Sequence, residues 1–146
     1  MKTMFLRLAG LASALLLLAG CSGFQGQWDK TLAAPGATTG LQGPWQGIWR
    51  SDASGHTDVL RCLVTRDPGG AYRARFHAKY HKVLTFGYTV PLTVQQTNDT
   101  YLFQGSADLG WMAGGVYHYD GRASLTNFSS TYSCKYDHGV FEMSRP

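Results

Sequence analysis

The chain has 146 residues, 44% of them hydrophobic, with 13 Lys and Arg against 9 Asp and Glu. That length holds one domain. Lys2 and Arg7 sit in the first twenty residues, which carry no acid, so beyond them 11 basic side chains face 9 acidic ones, too small an excess for a general nucleic-acid footprint.

Residues 1–20 read as a signal peptide. Lys2 and Arg7 precede an apolar run from Leu8 to Leu18, the layout of a secretory leader. The run is too short to span a bilayer, which takes about 20 apolar residues, and Gly10 and Ser13 interrupt it. Leu18-Ala19-Gly20-Cys21 resembles the lipobox of bacterial lipoprotein precursors. The resemblance implies cleavage before Cys21, lipid on its thiol and membrane attachment through that lipid. With Ser22 rather than Asp behind the cysteine, it also implies the outer membrane, facing the periplasm. Two or three acyl chains anchor stably where a single one holds only marginally.

Residues 21–43 are rich in Gly, Ala, Thr and Gln, with Phe24 and Trp28 the only aromatics. They are expected to form a flexible tether, whose end-to-end distance as a coil would be about 25 Å. Trp28 has two further options, packing on the domain or resting at the membrane interface.

Residues 44–146 form the expected domain, and there the dominant signal is period two, the mark of strands with one buried face. Trp45 and Trp49 share one parity, and Leu60, Cys62 and Val64 share another face after Ser54-Gly55. The turn Asp67-Pro68-Gly69-Gly70 leads into Tyr72, Ala74, Phe76, Ala78 and Tyr80, which alternate with Arg73, Arg75, His77, Lys79 and His81. Leu84, Phe86, Tyr88, Val90, Leu92 and Val94 follow, and Pro91 among them points to an edge or a bulge. Tyr101 to Leu109, Tyr117 to Ala123, Phe128 to Cys134 and Phe141 to Met143 complete the alternation. About eight short strands predict an all-β fold, an antiparallel meander closed as a barrel or folded as a sandwich. So many aromatics on the inward parity predict a filled interior, because an eight-stranded barrel is just wide enough to be packed or to hold one small ligand.

Once Cys21 is lipidated, Cys62 and Cys134 remain as an even pair in an oxidising compartment, and a disulfide is expected; two buried thiols are the alternative. Gly47-Ile48-Trp49, together with Arg145, resembles the Gly-x-Trp and closing Arg of lipocalin-like small β-barrels. That resemblance implies that Arg145 lies across the Trp49 ring as a cation–π contact sealing one end of the barrel.

Sequence motifs for chemistry are missing. There is no His-Glu-x-x-His, no Cys-x-x-Cys and no Gly-x-Ser-x-Gly, and Glu142 is the only glutamate. His77 and His81 would stand about 13 Å apart on a strand, too far to share a metal ion. His118 and Asp120 share a face but lack a visible third ligand. No catalytic residue, metal or cofactor is therefore expected. Two features remain as candidate binding residues. Arg73, Arg75, His77, Lys79 and His81 form a basic row without an acid, suited to an anionic partner or simply a solvated face. Trp111 and Met112 sit among glycines, in a contact site or in a loop folded over the barrel mouth.

The expected function is that of a monomeric, lipid-anchored envelope lipoprotein whose non-enzymatic domain binds an envelope protein or an anionic polymer. Two alternatives stand beside it: a lipocalin-like carrier of a small apolar ligand, and a periplasmic inhibitor of a cell-wall-cleaving enzyme.

Overall fold

A computed structural model of the chain describes residues 23–146; the expected signal peptide, Cys21 and Ser22 lie outside the described residues. A helix, α1, covers residues 23–33. Eight antiparallel strands follow: β1 (Gly43–Ser51), β2 (Thr57–Arg66), β3 (Tyr72–Tyr80), β4 (Leu84–Thr97), β5 (Thr100–Asp108), β6 (Val116–Ala123), β7 (Asn127–Ser133) and β8 (His138–Ser144). Each pairs with the next, and β8 pairs with β1, so the meander closes into a barrel rather than a sandwich. At this seam a side chain on Gly47 would run into the Glu142 carbonyl, so the residue that looked like half of a motif is there to let two strands touch.

One end of the barrel is plugged. Trp45, Leu41, Leu60, Val64, Phe103, Phe128 and Met143 are buried together there. The Arg145 guanidinium lies 3.6 Å from the centroid of the Trp45 ring. It donates to the carbonyls of Gly40 at 2.6 Å and Pro44 at 3.1 Å, while the Trp45 indole N–H donates to the Leu41 carbonyl at 3.0 Å. Burial lowers the Arg145 pKa to about 10, which leaves it charged at neutral pH. The sequence expectation paired Arg145 with Trp49, and the structure corrects it. Gly43-Pro44-Trp45 is a second Gly-x-Trp, and Trp49, four residues further up the strand and so about 13 Å away, belongs to the opposite end.

The expected disulfide is also absent, and Cys62 and Cys134 are both free. Their inward parity was read correctly, but they stand at different heights on strands that β1 and β8 separate. Cys62 pairs in register with Trp45 in the plugged half, and burial pushes its thiol pKa well up. Cys134 follows β7 at the other end, against Gly114 and Tyr117. A disulfide needs Cα atoms within about 7 Å.

The third correction concerns the tether. Phe24 and Trp28, four apart, share one face of α1 and bury themselves with Leu63, an apolar side chain on the outer face of β2. Arg61 stacks over Trp28 at 5.2 Å and Arg75 over Phe24 at 5.5 Å. Their guanidinium groups also donate to Gln25 and Gln27.

Two outcomes test this arrangement. Arg145→Ala should cost about 3 kcal/mol in urea unfolding, because it removes charge-assisted hydrogen bonds and a stacked cation together; a loss no greater than that of an exposed control such as Arg122→Ala would contradict the plug. Denatured without reductant, the Cys21→Ala chain should titrate two free thiols, whereas a disulfide would leave none.

Candidate functional site

The end opposite Arg145 is open. Above the stacked rings of Phe76, Tyr88 and Tyr119 and the Phe141 ring tilted against them, a cup of about 710 Å³ opens between the strands. Trp49, Ala78, Tyr80, Phe86, Tyr88, Tyr117 and Tyr132 line it, with Leu109, Met112 and Ala113 of the β5–β6 loop at its lip. The expectation of a filled interior is therefore met only in the plugged half. In the upper half Tyr117 stacks on Tyr132 at 6.1 Å and Tyr132 tilts against Phe141 at 5.1 Å, and the cup opens between these rings and the opposite wall.

The polar atoms of the cup are held by neighbours. Asp137 accepts from the Ser51 hydroxyl at 2.6 Å, from the Tyr132 hydroxyl at 3.0 Å and from the His138 amide at 2.9 Å. The Tyr117 hydroxyl donates to the Ala113 carbonyl at 2.9 Å, which ties the β5–β6 loop to the wall. The Trp49 indole N–H reaches past β2 to the Lys79 carbonyl at 2.8 Å. Burial raises the pKa of Tyr117, Tyr119 and Tyr132, and of Tyr88 most clearly, so these phenols stay neutral. The Tyr119 hydroxyl is buried beneath the floor without a hydrogen bond of good geometry, although it faces Tyr88.

The wall of the cup has a gap. β4 pairs with β3 from Leu84 to Leu92, but with β5 only from Leu92 onward. Pro91 explains the break, because it uses the register position opposite Arg73 and has no N–H to give on the β5 side. Above it β4 is an edge, as the proline implied, and Phe86, Gly87 and Tyr88 on one side of the gap face Asp108 and Leu109 on the other across the cup.

The candidate residues named from sequence fall in three places. Arg75 and His77 lie under α1, where His77 stacks on Phe24 at 4.8 Å. Arg73 and Lys79 stay exposed on either side of the helix, and His81 turns away in the β3–β4 turn at φ 51, its ring 4.6 Å from His56. The basic row is thus interrupted. Trp111 and Met112 form a 3-10 turn at the mouth, 86% and 84% exposed. His118 and Asp120 lie on the outer wall, where Asp120 accepts from Gln104 at 3.2 Å; no cluster of metal-ligating side chains occurs among the described residues. The cup itself was missed, and so was α1, although the spacing of Phe24 and Trp28 was visible.

Comparison with known proteins returns no matching family model, no matching curated protein and no matching solved structure.

The helix contact carries a pH dependence. Burial beneath α1 lowers the His77 pKa from its ordinary 6.5, and the neighbouring charges of Arg61, Lys79 and Arg75 lower it further. The docked state therefore binds this proton less well than the undocked one. Its stability is complete above pH 6.5 and falls as the pH drops below it. Protection of the residue 24–33 amides, measured against their intrinsic exchange rates at each pH, should fall in that range, and His77→Phe should remove the fall.

Proposed function

We propose that this protein is a lipid-anchored envelope lipoprotein whose barrel holds one small, largely apolar molecule in the aromatic cup. The observation that carries the reading is the cup itself, about 710 Å³ and walled by aromatic rings, within the range of about 300–1,000 Å³ that small-molecule sites occupy. Stacked phenols and an indole offer flat apolar faces, and the Asp137–Tyr132 pair offers a fixed polar end, so the ligand is a molecule with a ring or short chain and at most one polar head. The plug at the other end supports the same reading. An Arg lying across the Trp of a Gly-x-Trp is the closure used by lipocalin-like barrels, and Gly43, Trp45 and Arg145 supply it here. The lipobox supports the anchor on Cys21 and the outer membrane, facing the periplasm, as its place.

The rival readings, capture of an envelope protein or anionic polymer and inhibition of a cell-wall-cleaving enzyme, need a continuous exposed surface. The basic row was the charged surface expected to serve them, and α1 occupies its middle, which leaves only the exposed Trp111 and Met112 of the two candidate surfaces.

The cup is tested by filling it. Ala78→Phe places a ring in the cavity and should weaken binding of a naphthalene-type fluorescent probe at least about tenfold, the equivalent of 1.4 kcal/mol, while Ser129→Ala on the outer wall leaves it unchanged. Equal probe affinity in the two variants would remove the cup as the site. The anchor is tested separately: Cys21→Ala should abolish incorporation of a fatty-acid analogue.

A further inference from the structure

The polar end of the cup carries a charge that nothing in the barrel answers. Asp137 lines the cavity, half-buried, on the inward parity of Gly139 and Phe141. No basic side chain among the described residues comes within ion-pair distance of it. The cations near the mouth are engaged elsewhere. Arg50 pairs with Asp52, His56 lies 3.7 Å from Asp58, which also feels the Lys79 charge, and Lys135 sits over the Tyr136 ring. Lys79 meets the wall of the cup through its carbonyl, its side chain having the outward parity of β3. Asp108, at the lip, is the other charged side chain beside the cavity, and it too is an acid.

Hydrogen bonding points the same way. Ser51 and Tyr132 give their protons to Asp137, Tyr117 gives its own to the Ala113 carbonyl, and the Trp49 indole N–H goes to the Lys79 carbonyl. A ligand with an acceptor for a head finds no donor left among these four. The carboxylate has room for one donor more. Its Oδ1 takes two, from Ser51 and the His138 amide, whereas Oδ2 takes only the Tyr132 hydroxyl, and each carboxylate oxygen can accept two.

Aromatic rings complete the match. Trp49 stacks beside Tyr80 at 6.1 Å, and Tyr117 beside Tyr132 at the same distance. A cation within about 6 Å of such rings is drawn by their quadrupoles, most strongly where water is excluded. A neutral ligand that closed the cup would instead bury the Asp137 charge without a partner, which is costly. We infer that the cup selects an organic cation, a primary or secondary ammonium whose N–H reaches Asp137 Oδ2 while its ring or short chain lies against Trp49, Tyr80, Tyr117 and Tyr132. This rests on the reading of the cup as a ligand site and adds the sign of the ligand's head.

The test uses residues 21–146 with Cys21→Ser, which contain the whole described fold, and three fluorescent probes of similar shape at neutral pH: naphthylmethylammonium, naphthylmethanol and naphthoate. The ammonium should bind at least about tenfold more tightly than the alcohol, and the naphthoate should bind most weakly. Asp137→Asn keeps the shape of the side chain and should bring the ammonium down to the affinity of the alcohol, while an unchanged affinity for the alcohol shows that fold and cup are intact. Asp120→Asn removes the same charge from the outer wall and should leave all three probes as they were. Equal affinity of the parent for ammonium and alcohol, with both weakened by Ala78→Phe, overturns the inference and leaves the cup reading standing. A preference that survives Asp137→Asn, or that Asp120→Asn removes equally well, overturns it too. If neither ammonium nor alcohol binds the parent, the cup reading falls and this inference with it. Should Asp137→Asn not fold, the ranking of the three probes on the parent chain still decides.

Discussion

Arg145 over the Trp45 ring decides which end of this barrel is solid. A guanidinium can be half-buried only where carbonyls take its hydrogen bonds and an aromatic face takes its charge. The Gly40 and Pro44 carbonyls and Trp45 do so at one height only. Leu41, Phe128 and Met143 then pack around that indole, and the interior is closed below. Eight strands fix the diameter, so Phe76 reaches Tyr119 and Phe141 across the axis to make a floor, while the aromatics nearer the mouth line the wall. The cup is what remains when the large side chains of one end are committed to a cation and those of the other end are committed to each other.

Alternation along the chain made the strands legible, because a residue's parity says whether it faces in or out. It does not say at what height. Cys62 and Cys134 were rightly read as inward and wrongly read as partners, since the inward column of a strand runs from plug to mouth. Trp45 and Trp49 show the same ambiguity. Both follow a Gly-x and both point inward, and only the register with β2 and β8 places one beside Arg145. The cup was hidden for a related reason: a list of inward aromatics measures volume, and whether that volume fills the axis depends on stacking between strands far apart in sequence, as between Phe76 and Tyr119.

The helix was hidden by composition. Gly, Ala, Thr and Gln around two aromatics cannot fold alone, and the partner that makes α1 worth forming, Leu63, has the outward parity of a solvent-facing residue. The docked helix changes what the basic strand can do. Arg61 and Arg75 spend their faces on Trp28 and Phe24, and His77 is held neutral beneath them. Charges that looked like an invitation to an anion instead hold the chain's own amino-terminal segment in place.

The β1–β8 seam also governs when this fold can exist. It joins Gln46 to Ser144, a closure over roughly a hundred residues whose entropy must be met before any of its contacts form. Hairpins such as β3–β4 can appear early, but neither ring nor plug is complete until the last strand and Arg145 have arrived. A chain that emerges amino-terminus first therefore has no stable barrel while β8 is still being made. The shape is therefore all or nothing: hairpins alone give neither the plug nor the cup.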